Sequence, residues 1–307
     1  MLLLPRNKEK AITARLLRTW PLPIPEEGDK EARGRVLVVG GAPQMPGAVI
    51  LAANAALRAG AGKLQIATCE SIAPFIGTTV PEALVLGLPQ SASGALAPHG
   101  AISVASYARN VAALLIGPGM IEDDGTATFV QNILAENTET TIVLDAVALK
   151  VLTAVPTLLH AAGGAILTPH AGEMAGMLEL EKQQVIDNPL RCVREAAQNF
   201  QAVVALKGAQ TFIAAPDGEV YCNTQGNVGL ATSGSGDTLA GVIAGLAARG
   251  ADPLQATVWG VFLHARAGDR LAKRIAALGF LARELLAEVP VVMAGLSEPH
   301  PGRKKKR

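Results

Sequence analysis

Apolar residues along this chain come in short unbroken runs that stop at glycine or at a polar side chain. Between the runs lie alanine-rich stretches of helical character. Arg35-Val36-Leu37-Val38-Val39-Gly40-Gly41 is the first such run. A continuous apolar stretch closed by glycines is the pattern of a strand buried on both faces. After the loop Ala42-Pro43-Gln44-Met45-Pro46, a small-residue helix is expected over 47–60 and a second strand over 63–68. The alternation continues with strands at 83–88, 113–116, 141–144, 165–167 and 202–206, separated by helices at 98–109, 124–136, about 171–178 and 189–200. Residues 211–215 and 219–223 flank Pro216-Asp217-Gly218 as a hairpin would. Two long helices, about 235–249 and 253–273, and a shorter one near 280–288 close the series. Strand followed repeatedly by helix predicts a mainly parallel sheet covered on both faces, a three-layer α/β fold. No repeat and no linker divides it. We therefore expect an arm over 1–33, one domain over 34–290 and a basic tail over 291–307.

Composition narrows the picture. Half the residues are hydrophobic but only 3% are aromatic, so the core must be built of Ala, Val, Leu and Ile. A formal net charge of +1 gives no global field for nucleic acid or anionic lipid. The run Arg303-Lys304-Lys305-Lys306-Arg307 is the exception, and reads most simply as a solvated terminus. Cys69, Cys192 and Cys222 are scattered without CxxC spacing, which argues against a disulfide framework or a zinc site and fits a reducing cytoplasm. The apolar start Met1-Leu2-Leu3-Leu4 is too short for a signal peptide, and no uncharged run reaches transmembrane length. A soluble cytoplasmic protein, with neither nucleic acid nor membrane as partner, is the expectation.

In parallel α/β sheets ligands bind outside the carboxyl ends of the strands. Several punctuations here fall at those ends: Gly40-Gly41, Gly117-Pro118-Gly119, Asp145, His170 and Lys207-Gly208. Each has a plain reading. The glycines serve turns as readily as ligands. Asp145 most simply caps the next helix. His170 is a helix cap or a ligand, and Lys207 a phosphate partner or, equally, a snorkelling structural lysine. Glu122-Asp123-Asp124-Gly125 reads as a solvated turn and cap. The stretch Gly226–Gly241 carries more. Its segment Gly234-Ser235-Gly236-Asp237 opens an apolar helix, where backbone N–H groups and the helix dipole favour an anion. Asp237 lies in that first turn. A carboxylate set beside a phosphate suggests proton or metal handling. There is no GxxxxGK[ST], GxGxxG, GxSxG or HExxH.

At Gly234-Ser235-Gly236-Asp237 the chain resembles the ribokinase-like superfamily, whose anion hole and catalytic aspartate lie in a GxGD element. Further stretches, in order, are Val39-Gly40-Gly41 with Met45-Pro46-Gly47-Ala48, Ile116-Gly117-Pro118-Gly119, Leu144-Asp145-Ala146, Leu167-Thr168-Pro169-His170-Ala171-Gly172-Glu173, Lys207-Gly208-Ala209-Gln210-Thr211 and Asn223-Thr224-Gln225-Gly226-Asn227. Together they resemble the ADP/ATP-dependent NAD(P)H-hydrate dehydratase family over about residues 34–290. The resemblance implies a ribokinase-like fold and Asp237 as catalytic base. It implies contacts from Ala48, Gly119, His170 and Asp237 to the hydrated nicotinamide nucleotide, and from Lys207, Gly208, Ala209, Gln210, Thr211, Gly234, Ser235 and Gly236 to the adenine nucleotide. ADP or ATP would be the co-substrate, leaning to ADP, with Mg²⁺ as cofactor and no metal ligand assignable. Ser233 and Ser235 stand where the family usually has Gly and Thr, and both anion-hole glycines remain. Ala171 replaces a commoner proline. Residues 1–33 are too short for the epimerase domain fused to many relatives, so the resemblance implies the dehydratase alone, a homo-oligomer such as a tetramer, working beside a separate epimerase. The alternative is a small-molecule hydroxyl kinase of the same superfamily, such as a thiamine-precursor kinase. A nucleotide sensor that has kept the fold would have no need of the base.

Overall fold

Ten strands form one sheet in the computed structural model of this chain, which describes residues 9–24, 31, 33–136, 139–160 and 164–296. The strands are β1 (Lys10–Ala11), β2 (Arg35–Val39), β3 (Lys63–Cys69), β4 (Ala83–Leu88), β5 (Ala113–Ile116), β6 (Thr141–Leu144), β7 (Ala165–Leu167), β8 (Val203–Leu206), β9 (Thr211–Ala214) and β10 (Val220–Asn223). Their spatial order is β1-β10-β9-β8-β7-β6-β5-β2-β3-β4. Strands β2 to β8 pair in parallel throughout, whereas β9 runs antiparallel to both β8 and β10. The parallel expectation thus holds for the strands that carry the site, and the 211–223 hairpin supplies the reversal.

Helices cover both faces. They are α1 (Ala14–Thr19), α2 (Pro46–Arg58), α3 (Ala73–Thr79), α4 (Ala101–Ala108), α5 (Thr126–Ala135), α6 (Val151–Ala154), α7 (Ala171–Leu178), α8 (Lys182–Asp187), α9 (Pro189–Phe200), α10 (Ser235–Ala248), α11 (Pro253–Arg274) and α12 (Ala282–Ala294). One contiguous core, mostly Ala, Val, Leu and Ile, runs through these layers. Helix α10 is buried nearly all round, because the glycines on one of its faces let α2 approach. A Cβ on Gly241 would lie 2.1 Å from the Ala52 carbonyl oxygen, and one on Gly245 2.3 Å from that of Ala56. These two helices deliver their first turns to the same end of the sheet.

Three features depart from the sequence expectation. Residues 9–24 of the arm pack on the domain: β1 pairs with β10, Leu17 is fully buried, and Trp20 stacks on Tyr221. The last helix runs past residue 290 to Ala294, with Pro290 inside it. Short helices α3, α6 and α8 fill stretches in which the pattern marks no element. The basic run 303–307 lies outside the described residues. No helix among the described residues is long and apolar enough to cross a membrane.

Candidate active site

The order of the parallel strands reverses between β2 and β5, and the loops leaving those two strands open the crevice expected at such a switch point. Gly41 N–H donates to the Pro118 carbonyl at 2.8 Å, tying the two loops together. Gly119 has φ +67°, and a Cβ there would lie 2.8 Å from Ala48 Cβ and 2.7 Å from the Met45 carbonyl. Ala48 and Gly119 therefore form one small-residue wall, at the start of α2.

A second cluster lies at the ends of β6, β7 and β8. His170 and Lys207 are bridged in parallel register, with Lys207 N–H donating to the Pro169 carbonyl at 2.8 Å. The imidazole of His170 caps α7: its Nδ1 accepts the N–H groups of Gly172 (3.0 Å) and Glu173 (3.1 Å). Glu173 returns the contact, its carboxylate accepting His170 N–H at 2.7 Å. The side chain is 60% exposed, so cap and ligand readings of His170 are compatible.

Lys207 is not a snorkelling lysine. Its Nζ donates to Asp145 Oδ1 at 2.8 Å and lies 3.8 Å from Glu173 Oε2. Burial alone would lower its pKa, but the charges of Asp145 and Glu173 outweigh that and hold it above the ordinary lysine value. Asp145 is 3% exposed. Its expected role as a cap is a misreading: the following turn has no side-chain cap bond, and Oδ1 instead takes the Thr168 hydroxyl (2.7 Å) and the Lys207 ammonium.

Helix α10 brings the third group. Gly234 opens it in the left-handed region (φ +85°), where a Cβ would press on Leu51 Cδ1 at 2.4 Å. Ser235 N–H turns back to the Thr232 carbonyl and Thr238 N–H to that of Gly234. The N–H groups of Gly236 and Asp237 between them take no backbone acceptor outside the helix among the described residues, as expected of a helix N-terminus. A Cβ on Gly236 would lie 3.6 Å from Lys207 Nζ, so the ammonium stands directly over this turn. Burial, and then the Asp145 charge, push the Asp237 carboxyl up to about 6 against the opposing pull of Lys207. A carboxylate of that pKa, beside donors and an ammonium, can accept a proton near neutral pH while an anion is held next to it.

The remaining expected residues fall into two groups. Gly208, Ala209 and Gln210 form an exposed turn between β8 and β9, and Thr211 begins β9 opposite Asn223. Ser235, by contrast, is buried, and its hydroxyl turns inward to His264 Nε2 at 3.0 Å. Burial pushes His264 down to about 4, which keeps the ring neutral. Asp145, Thr168, Glu173 and His264 are site residues to which sequence reasoning gave no such part. Thr168 carried the same signal as Asp145, a polar residue closing an apolar strand, while His264 lies inside α11 and has no local signal at all.

Comparisons with known proteins point to one family. A family model described as NAD(P)H-hydrate dehydratase matches residues 36–291. An ADP-dependent (S)-NAD(P)H-hydrate dehydratase of Xanthomonas campestris is 50% identical over 92% of this chain and 96% of its own length. A bifunctional NAD(P)H-hydrate repair enzyme of Moorella thermoacetica is 40% identical over 88% of this chain, which spans about half, 51%, of that protein. Among solved structures, the ADP/ATP-dependent NAD(P)H-hydrate dehydratase of Bacillus subtilis, co-crystallised with ATP/Mg²⁺, superposes with a TM-score of 0.81 at 32% identity, covering 93% of this chain and 98% of that one.

Proposed function

The chain belongs to the NAD(P)H-hydrate dehydratase family, and from that premise we infer that its strand-end cluster carries the adenine-nucleotide-dependent dehydration of the (S)-form of NAD(P)H hydrate back to NAD(P)H. One observation carries the assignment of chemistry: the Asp237 carboxyl, pushed up to about 6, shares the first turn of α10 with N–H groups that have no backbone acceptor outside the helix among the described residues, and it faces the Lys207 ammonium.

Asp237 accepts the proton of the C6 hydroxyl as that oxygen attacks the terminal phosphoryl group of ADP or ATP. The N–H groups of Gly236 and Asp237 and the Lys207 ammonium face the charge that develops on the transferring group. AMP or ADP departs as the leaving group of that transfer, and the phosphorylated alcohol then loses phosphate from C6 and a proton from C5, which restores the dihydronicotinamide ring. The Ala48–Gly119 wall and the outward edge of His170 bound the crevice into which the nicotinamide nucleotide fits. Gly208, Ala209, Gln210 and Thr211 form the turn against which the adenine nucleotide lies, beside the Gly234–Gly236 segment. Ser235 contributes backbone and an inward anchor to His264 rather than a ligand-facing hydroxyl.

Among the described residues no three His, Cys, Asp or Glu side chains converge as metal ligands, and Asp145 and Glu173 face Lys207. That donor set suits Mg²⁺ arriving on nucleotide phosphates, since this ion is commonly held by one or two carboxylates plus substrate phosphates. When bound it would neutralise phosphate charge. A homo-oligomer such as a tetramer, a cytoplasmic location and a separate epimerase working alongside complete the reading.

The test is spectrophotometric. NAD(P)H hydrate mixed with ADP, Mg²⁺ and this protein should regain the dihydronicotinamide absorbance. Failure with both ADP and ATP overturns the reading, and accumulation of a stable phosphoester would point instead to a kinase.

A further inference from the structure

Asp145 is the most deeply buried carboxylate of the cluster, and the backbone around it is forced. Among the described residues only Ala146, Glu179 and Gln201 are non-glycine residues with positive φ. Glu179 and Gln201 close helices, where the left-handed conformation is common. Ala146, at φ +51°, closes none; it follows Asp145 directly at the end of β6. On the other side, Gly117 (φ +131°) lies so close that a Cβ there would fall 1.8 Å from the Asp145 carbonyl oxygen. Strain of this kind costs on the order of 1–3 kcal/mol and persists where the surroundings over-determine it. What the strain secures is the direction of one carboxylate: Oδ1 points between the Thr168 hydroxyl and the Lys207 ammonium, at 2.7 and 2.8 Å.

We propose that Asp145 is a positioning residue, which anchors the Lys207 ammonium over the first turn of α10 and so sets the charge that Asp237 meets. The proposal rests on Asp237 as the base. In the nucleotide-free protein Asp145 acts through Lys207, whose Nζ has Asp145 on one side and Gly236 on the other. With the anchor in place, Lys207 lies among the negative charges of Asp145, Glu173 and Asp237. Without it, the ammonium is released toward Asp237. The loss of one negative neighbour and the nearer approach of a positive one then act in the same direction, both favouring the ionised base.

The charged groups facing Asp237 are Asp145 from the end of β6, Lys207 from the end of β8 and Glu173 from α7; His264 on α11 lies behind Ser235 and is held neutral by burial. The experiment follows the Asp237 carboxyl by carbon-13 titration in the full-length, nucleotide-free protein, assigned by its loss in Asp237→Asn. Asp145→Asn should lower the midpoint by on the order of one unit, and Lys207→Met should raise it. In the Lys207→Met background, Asp145→Asn should lower the midpoint by less than it does in the parent. An unchanged midpoint in Asp145→Asn overturns the proposal, as do strictly additive shifts, which would make Asp145 a background charge. Asp145→Asn leaves a buried ammonium with only the more distant Glu173 carboxylate as its ion-pair partner and is at risk of not folding, so a measurement on the parent stands beside it. The Lys207 ammonium protons, assigned through Lys207→Arg, should be protected from exchange; exchange as fast as that of a surface lysine overturns the anchor. The acid limb of kcat/KM should move with the midpoint. A parent protein without dehydratase activity would sink the proposed function, and the titrations would still decide the role of Asp145.

Discussion

Asp237 trades stability for basicity. Its pKa of about 6 in the folded chain exceeds the ordinary carboxylate value near 3.8, so between those two values the native state holds a proton that the unfolded chain has released. Stability therefore falls as pH rises through that window, and above it the desolvated charge costs the fold on the order of 3 kcal/mol. Asp237→Asn should raise the melting temperature at neutral pH and lose that advantage in acid below the ordinary carboxylate range. The same variant should bind adenine nucleotide yet lose on the order of 10²–10⁴ in turnover; near-parental turnover would remove Asp237 as base. In the parent, kcat/KM should fall on the acid side with a midpoint at about 6. The Gly234–Asp237 element was legible in the sequence because glycines, a helix start and an acid lie within four consecutive residues. Asp145 was not. Its role depends on Lys207, 62 residues away, and nothing adjacent to it distinguishes that role from a helix cap.

At the scale of elements, the site depends on how closely α2 and α10 approach. Ala48 lies in the first turn of one and Asp237 in the first turn of the other, and their separation is fixed by backbone contacts at Gly241 and Gly245. Gly241→Ala should force the helices apart, lowering stability by about 1–3 kcal/mol or more and depressing turnover along with it. Gly176→Ala, in α7 with open space at its Cβ, is the control, and should be neutral or slightly stabilising. Equal effects of the two substitutions on the melting temperature would refute the packing argument. The strands were legible because each is a closed apolar run. Helix α3 was not, since Pro74, Gly77 and two threonines give it weak helical propensity and only Ile76 is fully buried. Tertiary contact, not local preference, makes it a helix.

Across the whole molecule, residues 9–24 act as a strap. Ile12, Leu17 and Leu22 are buried, each contributing about 1.5–3 kcal/mol of the kind lost on exposure. Arg249 fastens the end of the strap, its guanidinium donating to the carbonyls of Pro23 and Ala59. Gln255 Nε2 donates to the Pro21 carbonyl at 2.9 Å and Trp259 Nε1 to the Trp20 carbonyl at 2.8 Å. Deleting the chain through Pro23 should lower the melting temperature sharply, although none of the described residues removed makes a hydrogen bond or ion pair to the site residues. A thermal transition unchanged by that deletion would show the strap to be dispensable. Proline punctuation and charge made this segment read as an arm; its docking depends on β10 and α11, more than 200 residues onward.

The strap has one more consequence, for spectroscopy. The chain contains two tryptophans, Trp20 and Trp259, and both belong to this one contact: Trp20 lies on Tyr221 and offers its carbonyl to the indole of Trp259. Intrinsic emission from the ligand-free protein is therefore a local reporter of strap docking. An emission change that precedes the loss of far-ultraviolet ellipticity on heating would be the optical signature of the strap lifting from a sheet that is still folded.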